Sequence, residues 1–142
     1  MTEIEFHTGV SDRVGFAGRM LRKAYRKGAR VLVTAAPEVL AALDRALWVD
    51  EQRDFVPHVR MPGAARAIAA RTPIWLSGGV VDGAPKVCVN LGADPGADLE
   101  ALARLIEIVS TDPEDVVAGR ERWRAYKAQG LQIVHHDHAG RD

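Results

Sequence analysis

Apolar residues along this chain keep two rhythms, and the way these alternate lays out the elements. Ile4 and Phe6 stand among polar neighbours, the period-two pattern of an opening strand. Ser11-Asp12 offers a helix N-cap, after which Val14, Ala17, Leu21 and Ala24 recur at helical spacing. Met20 and Tyr25 widen that stripe, and Arg19, Arg22, Lys23, Arg26 and Lys27 form its solvated side. Gly28 can end the helix in a left-handed conformation. The run from Arg30 to Thr34 is β-branched and almost wholly apolar, as suits a strand covered on both faces of a parallel sheet. Strand, helix and strand in this order make a βαβ unit.

A second helix starts at Pro37, a residue that a first turn tolerates. Val39, Leu40, Leu43 and Leu47 form its stripe, Asp44 and Arg45 point outward, and Trp48 closes it. From Val49 to Arg60 neither rhythm holds. Asp54-Phe55-Val56-Pro57-His58 reads as an extended loop leading toward the sheet, because Pro57 restricts Val56 to extended geometry. Pro73–Leu76 and Lys86–Leu91 are the next strands, and the glycine- and proline-rich Ser77–Pro85 between them predicts a hairpin-like connection. Helical spacing returns with Leu99, Leu102, Leu105, Ile106 and Val109. Asp112-Pro113 breaks it, a last helix runs to Gly130, and Leu131–Val134 forms a closing strand. The order predicts one three-layer α/β/α domain over residues 1–134, with a mixed, partly parallel sheet of Rossmann-like topology. Residues 135–142 are predicted as a polar, disordered tail.

The chain has 142 residues, enough for one domain with a substantial core. Its hydrophobic fraction of 47% and charged fraction of 27% are those of an ordinary globular protein. Lys+Arg and Asp+Glu both total 19, and this zero balance argues against holding duplex DNA through the overall field. A single cysteine, Cys88, excludes an internal disulfide and fits a reducing compartment. The first residues lack a signal-peptide pattern and no apolar run reaches membrane length, so the expected location is the cytoplasm with no membrane partner.

Catalytic chemistry is hard to find. A phosphate loop needs a glycine-rich turn ahead of a helix N-terminus. Here the turn is Thr8-Gly9-Val10-Ser11-Asp12, with one glycine and an acid, and neither common phosphate-binding signature occurs. Nor do Gly78-Gly79 and Gly83 lead into a helix. His135-His136-Asp137-His138 resembles a metal cluster, but on a terminal segment it would lack the outer partners that orient imidazoles, so it is read as a frayed end. His58 reads as a surface or packing residue, Cys88 as a small buried hydrophobe, and Asp44 and Glu107 as carboxylates on helix exteriors. No cofactor and no metal are expected, and no enzyme activity.

The last helix stands apart. Arg120, Trp123, Arg124 and Lys127 fall at i, i+3, i+4 and i+7 and so share a face, with Arg122 and Tyr126 on a neighbouring one. Cations beside an aromatic wall suit an anionic ligand that also carries an apolar group. An ordinary amphipathic helix, with an aromatic docked on the sheet and its arginines solvated, fits the same spacing.

Two segments then point the same way. Leu43-Asp44-Arg45-Ala46-Leu47-Trp48 with the later Phe55-Val56-Pro57-His58, and Arg120-Glu121-Arg122-Trp123-Arg124-Ala125-Tyr126-Lys127 ending at Gly130, resemble the chi subunit family of bacterial DNA polymerase III. The strands and apolar runs between them fall in the expected order, so the likeness spans nearly the whole chain. It departs at Trp123, where a tyrosine is common.

This resemblance implies a non-catalytic accessory subunit of the replicative polymerase, one that links the clamp loader to single-stranded DNA-binding protein. The implied partners are that protein's acidic, phenylalanine-ending C-terminal tail and the psi subunit of the clamp loader, or a repair helicase on psi's surface, with DNA reached indirectly. Arg120, Trp123, Arg124 and Tyr126 match the tail site; Trp48 and Phe55, with Pro57 and His58 as neighbours, match the psi or helicase surface. Two other readings stay open: a small enzyme of mononucleotide-binding type, and direct single-strand binding with bases stacked on the aromatics.

Overall fold

A computed structural model describes residues 2–49, 55–94 and 96–139. The chain alternates strand and helix from its start: β1 Glu3–Val10, α1 Arg13–Arg26, β2 Val31–Thr34, α2 Pro37–Val49, β3 His58–Met61, α3 Arg66–Arg71 and β4 Ile74–Ser77. Then come β5 Val87–Asn90, a 3-10 helix Gly96–Ala101, β6 Arg104–Ser110, α4 Pro113–Ala128 and β7 Ile133–Asp137. The predicted ends of α1 hold. Asp12 accepts the Gly15 N–H at 3.0 Å, and Gly28 takes φ 77° just past the last turn.

One seven-stranded sheet runs β3-β4-β2-β5-β6-β1-β7. Every described pairing is parallel, so the α/β/α expectation stands and the sheet is parallel where a mixed one was expected. Alternation along the strands divides the core in two. Val33, Ile74, Val89, Ile106 and Ile108 face α1 and α2, whose Leu21, Leu43 and Leu47 complete that side. Ile4, Phe6, Leu32, Cys88 and Leu105 face the other way, toward Ala69 of α3 and Tyr126 of α4. Cys88 is buried as expected, and burial pushes its thiol up to about 12.

Three expectations change. Ser77–Pro85 makes no hairpin, because β2 lies between β4 and β5. The segment read as a helix from Leu99 to Val109 is a 3-10 turn followed by β6. Its leucines satisfy helical spacing, but Leu105 to Ser110 is a continuous buried run and both faces of a central strand accept it. The closing strand does not stop at Val134: His135, His136 and Asp137 pair with Phe6, His7 and Thr8 of β1. Residues 140–142 of the expected tail, and Asp54 of the expected loop, lie outside the described residues. Among the described residues no helix is long and apolar enough to cross a membrane.

Candidate functional site

Helix α4 begins where Asp112-Pro113 predicts. Asp112 accepts the Glu114 N–H at 3.1 Å, Pro113 sits in the first turn, and Glu114 and Asp115 face the positive end of the helix dipole. Two features press the helix onto β6. Gly119 lies so close that an added Cβ would stand 3.0 Å from a Val109 methyl. Below it, Glu107 is fully buried and gathers donors: Tyr126 Oη donates to it at 2.6 Å, Arg122 Nε at 3.1 Å, and Asn90 Nδ2 reaches both oxygens at 3.0 and 3.1 Å.

Burial pushes the Glu107 carboxyl above the usual carboxylate range, and the Arg122 guanidinium with the Tyr126 and Asn90 hydrogen bonds pulls against it. Burial, with the Glu107 charge beside it, raises the Tyr126 hydroxyl, which stays a donor. Glu107 is therefore an anchor for α4 and not a helix-surface acid. Its role was hidden because its segment reads as helix.

With Arg122 and Tyr126 tied inward, the opposite flank of α4 opens onto β1 and β7. A groove of about 260 Å³ lies there, with Phe6, Val109 and Val116 as apolar lining and Gly119 leaving room. Trp123 and His135 wall it, and Arg120 and Arg124 stand exposed at its rim. The indole is half-buried, edge-on to Phe6 at 5.0 Å and to His135 at 5.4 Å between centroids. Lys127 Nζ sits 5.8 Å over its ring. An apolar slot with two guanidinium groups on its rim can take a side chain whose backbone carries negative charge.

A second exposed feature lies at the far edge of the sheet. Trp48, at the end of α2, is 62% exposed, and Phe55 is 43% exposed with its ring 4.8 Å from the indole. His58 lies beneath them, its ring bonded to Asp44 Oδ1 at 2.5 Å and to the Val56 carbonyl at 2.7 Å.

Residues 1–134 match the family described as DNA polymerase III chi subunit, HolC. The chain belongs to that family. It is similar to the DNA polymerase III subunit chi of Pseudomonas aeruginosa, at 28% identity over 142 residues covering 96% of each chain. A chi-family subunit belongs to DNA replication, and on this chi-like chain the expected site residues separate. Arg120, Trp123 and Arg124 meet at one groove. Tyr126 does not join them: it is 2% exposed and points the opposite way, onto Glu107. Its ring is buried and its hydroxyl is committed to Glu107. Trp48 and Phe55 present a surface, Pro57 is half-buried beside it, and His58 braces it from below. Sequence reasoning missed Phe6, Gly119, His135 and Glu107. Only Gly119, a glycine in mid-helix opposite an apolar strand, carried a signal that could have been used.

Proposed function

We propose that this protein is a non-catalytic accessory subunit of the DNA polymerase III holoenzyme, working in the cytoplasm, whose α4 groove receives the C-terminal tail of single-stranded DNA-binding protein. The observation that carries this reading is the convergence of Arg120, Arg124 and Trp123 on one apolar slot. The tail's last phenylalanine enters the slot beside Trp123, over Val116 and Gly119, and its terminal carboxylate and acidic residues meet the two guanidinium groups. A slot of about 260 Å³ falls just below the size of pockets that take drug-sized molecules and suits a single aromatic side chain. Micromolar affinity, roughly −8 kcal/mol, is the expected scale for so short a contact. Such binding reverses quickly, as a subunit moving along coated single strands requires.

The patch of Trp48 and Phe55 serves the second partner, the psi subunit or a helicase. Isolated exposed apolar residues are common, but two large rings in contact with each other mark an interface more than a solvated surface. The mononucleotide reading draws no support from the strand ends beside Thr34. At the carboxyl ends of the strands the cavity beside Thr34, Gly79 and Cys88 measures about 20 Å³, space for one water.

Fluorescence polarisation with a labelled acidic peptide ending in phenylalanine tests the groove. Arg120→Ala and Arg124→Ala should each weaken binding about tenfold, the scale of one charged hydrogen bond, and affinity should fall as salt rises. Deleting the peptide's last phenylalanine should abolish it. Unchanged binding in both arginine variants, or tight binding of a bare oligonucleotide in place of the peptide, would overturn the reading.

A further inference from the structure

The strand that walls the groove with His135 turns its next side chain to the opposite face of the sheet, and there it joins a cluster with no part in the groove. Parallel pairing sets His136 beside His7, with their rings stacked at 4.7 Å and 16°. Two residues earlier on β1, Glu5 points to the same face, its Oε2 2.8 Å from His7 Nε2 and its Oε1 3.7 Å from His136 Nε2. All three donor groups lie within 4.8 Å of one another. His7 is buried, and its other nitrogen is fixed by His138 Nε2 at 2.8 Å, while Phe16 of α1 packs 5.4 Å from the ring. Arg104 holds Glu5 Oε1 at 3.0 Å. His136 stays about half exposed, which leaves the cluster open to solvent on one side.

We propose that Glu5, His7 and His136 form a binding site for a divalent transition-metal ion such as zinc. Two donors on one tetrahedral zinc ion stand about 3.3 Å apart, given metal–ligand bonds of about 2.0–2.1 Å. Taking one donor atom from each residue, the three lie within 4.8 Å of one another, so a modest rotation of the half-exposed His136 draws the set toward that spacing. Two imidazoles and a carboxylate suit zinc and its neighbours and not calcium or magnesium, which take oxygen ligands. The outer contacts are already built. His138 orients the His7 ring through the nitrogen that the ion does not use, and Arg104 steadies the carboxylate. Because Glu5 and His7 come from β1 and His136 from β7, a bound ion would fasten the last strand to the sheet.

The full chain, prepared without an affinity tag and stripped with chelator, tests this by titration with zinc chloride in a calorimeter and by thermal unfolding. One ion should bind per chain, and zinc should raise the Tm by several degrees. His136→Ala should weaken affinity at least about tenfold and remove the Tm rise. Glu5→Gln, which keeps the side chain's shape, should do the same and covers the case in which a change at buried His7 unfolds the protein. His135→Ala, on the groove face of the same strand, should bind zinc as the parent does. Absence of stoichiometric uptake, undiminished affinity in His136→Ala and Glu5→Gln, or an equal loss in His135→Ala would overturn the site.

Discussion

Glu107 shows how one buried acid organises a surface it never reaches. It is 0% exposed, and its three partners come from α4 and β5. Buried charge is costly unless it is paired and hydrogen-bonded, and here both conditions hold. Breaking such a pair from one side typically costs about 3–5 kcal/mol, because the remaining charge is left without its partner. Glu107→Ala should therefore lower stability by about that amount in urea denaturation, since Arg122 stays behind at 12% exposure. Tyr126→Phe removes one neutral donor and should cost about 1–2 kcal/mol. A Glu107→Ala protein as stable as its parent would mean that packing alone seats the helix.

Helix α4 was legible in the sequence, and its partner strand was not. Asp112-Pro113 marks its start through ordinary capping chemistry, and the i, i+3, i+4 spacing of Arg120, Trp123 and Arg124 puts them on one flank. The same spacing could not say which aromatic faces inward. That depends on Glu107, and Leu99 to Val109 satisfies a helical period while folding as a 3-10 turn and a doubly buried strand. Strand β3 escaped notice because Val59 and Met61 are only half-buried at the sheet's edge, so its alternation is weak. Strand order is set by crossovers that no local pattern records, and β2 between β4 and β5 is the result. The tail histidines read as a frayed end because their partners, His7 and Thr8, lie more than a hundred residues earlier. At this scale Gly119 gives a sharp test. Gly119→Val would drive its methyl groups against Val109 and into the slot, so peptide affinity should drop about tenfold or more while circular dichroism still reports a folded protein. Full affinity in that variant would place the ligand elsewhere.

Across the whole molecule the two exposed features sit at opposite margins of one rigid sheet. The groove adjoins β1 and β7 at one end of the strand order, and Trp48 with Phe55 adjoins His58 of β3 at the other. Six steps between neighbouring strands amount to roughly 25–30 Å, so the two surfaces share no residue. Substitutions that far apart should act independently. Trp48→Ala combined with Phe55→Ala should abolish capture of the psi-type or helicase partner and leave peptide affinity within about twofold, whereas Arg124→Ala should do the reverse. Equal loss of both activities in either variant would point to a single shared surface.

The most direct measurement is a titration of isotope-labelled protein with the acidic, phenylalanine-ending peptide, followed by nuclear magnetic resonance. The indole N–H of Trp123 and the amides of Gly119, Arg120, Arg124 and His135 should move together and saturate with one affinity, while the indole of Trp48 stays still. Shifts gathered around Trp48, or at the strand ends near Thr34 and Asn90, with Trp123 unmoved, would contradict the assignment of the α4 groove.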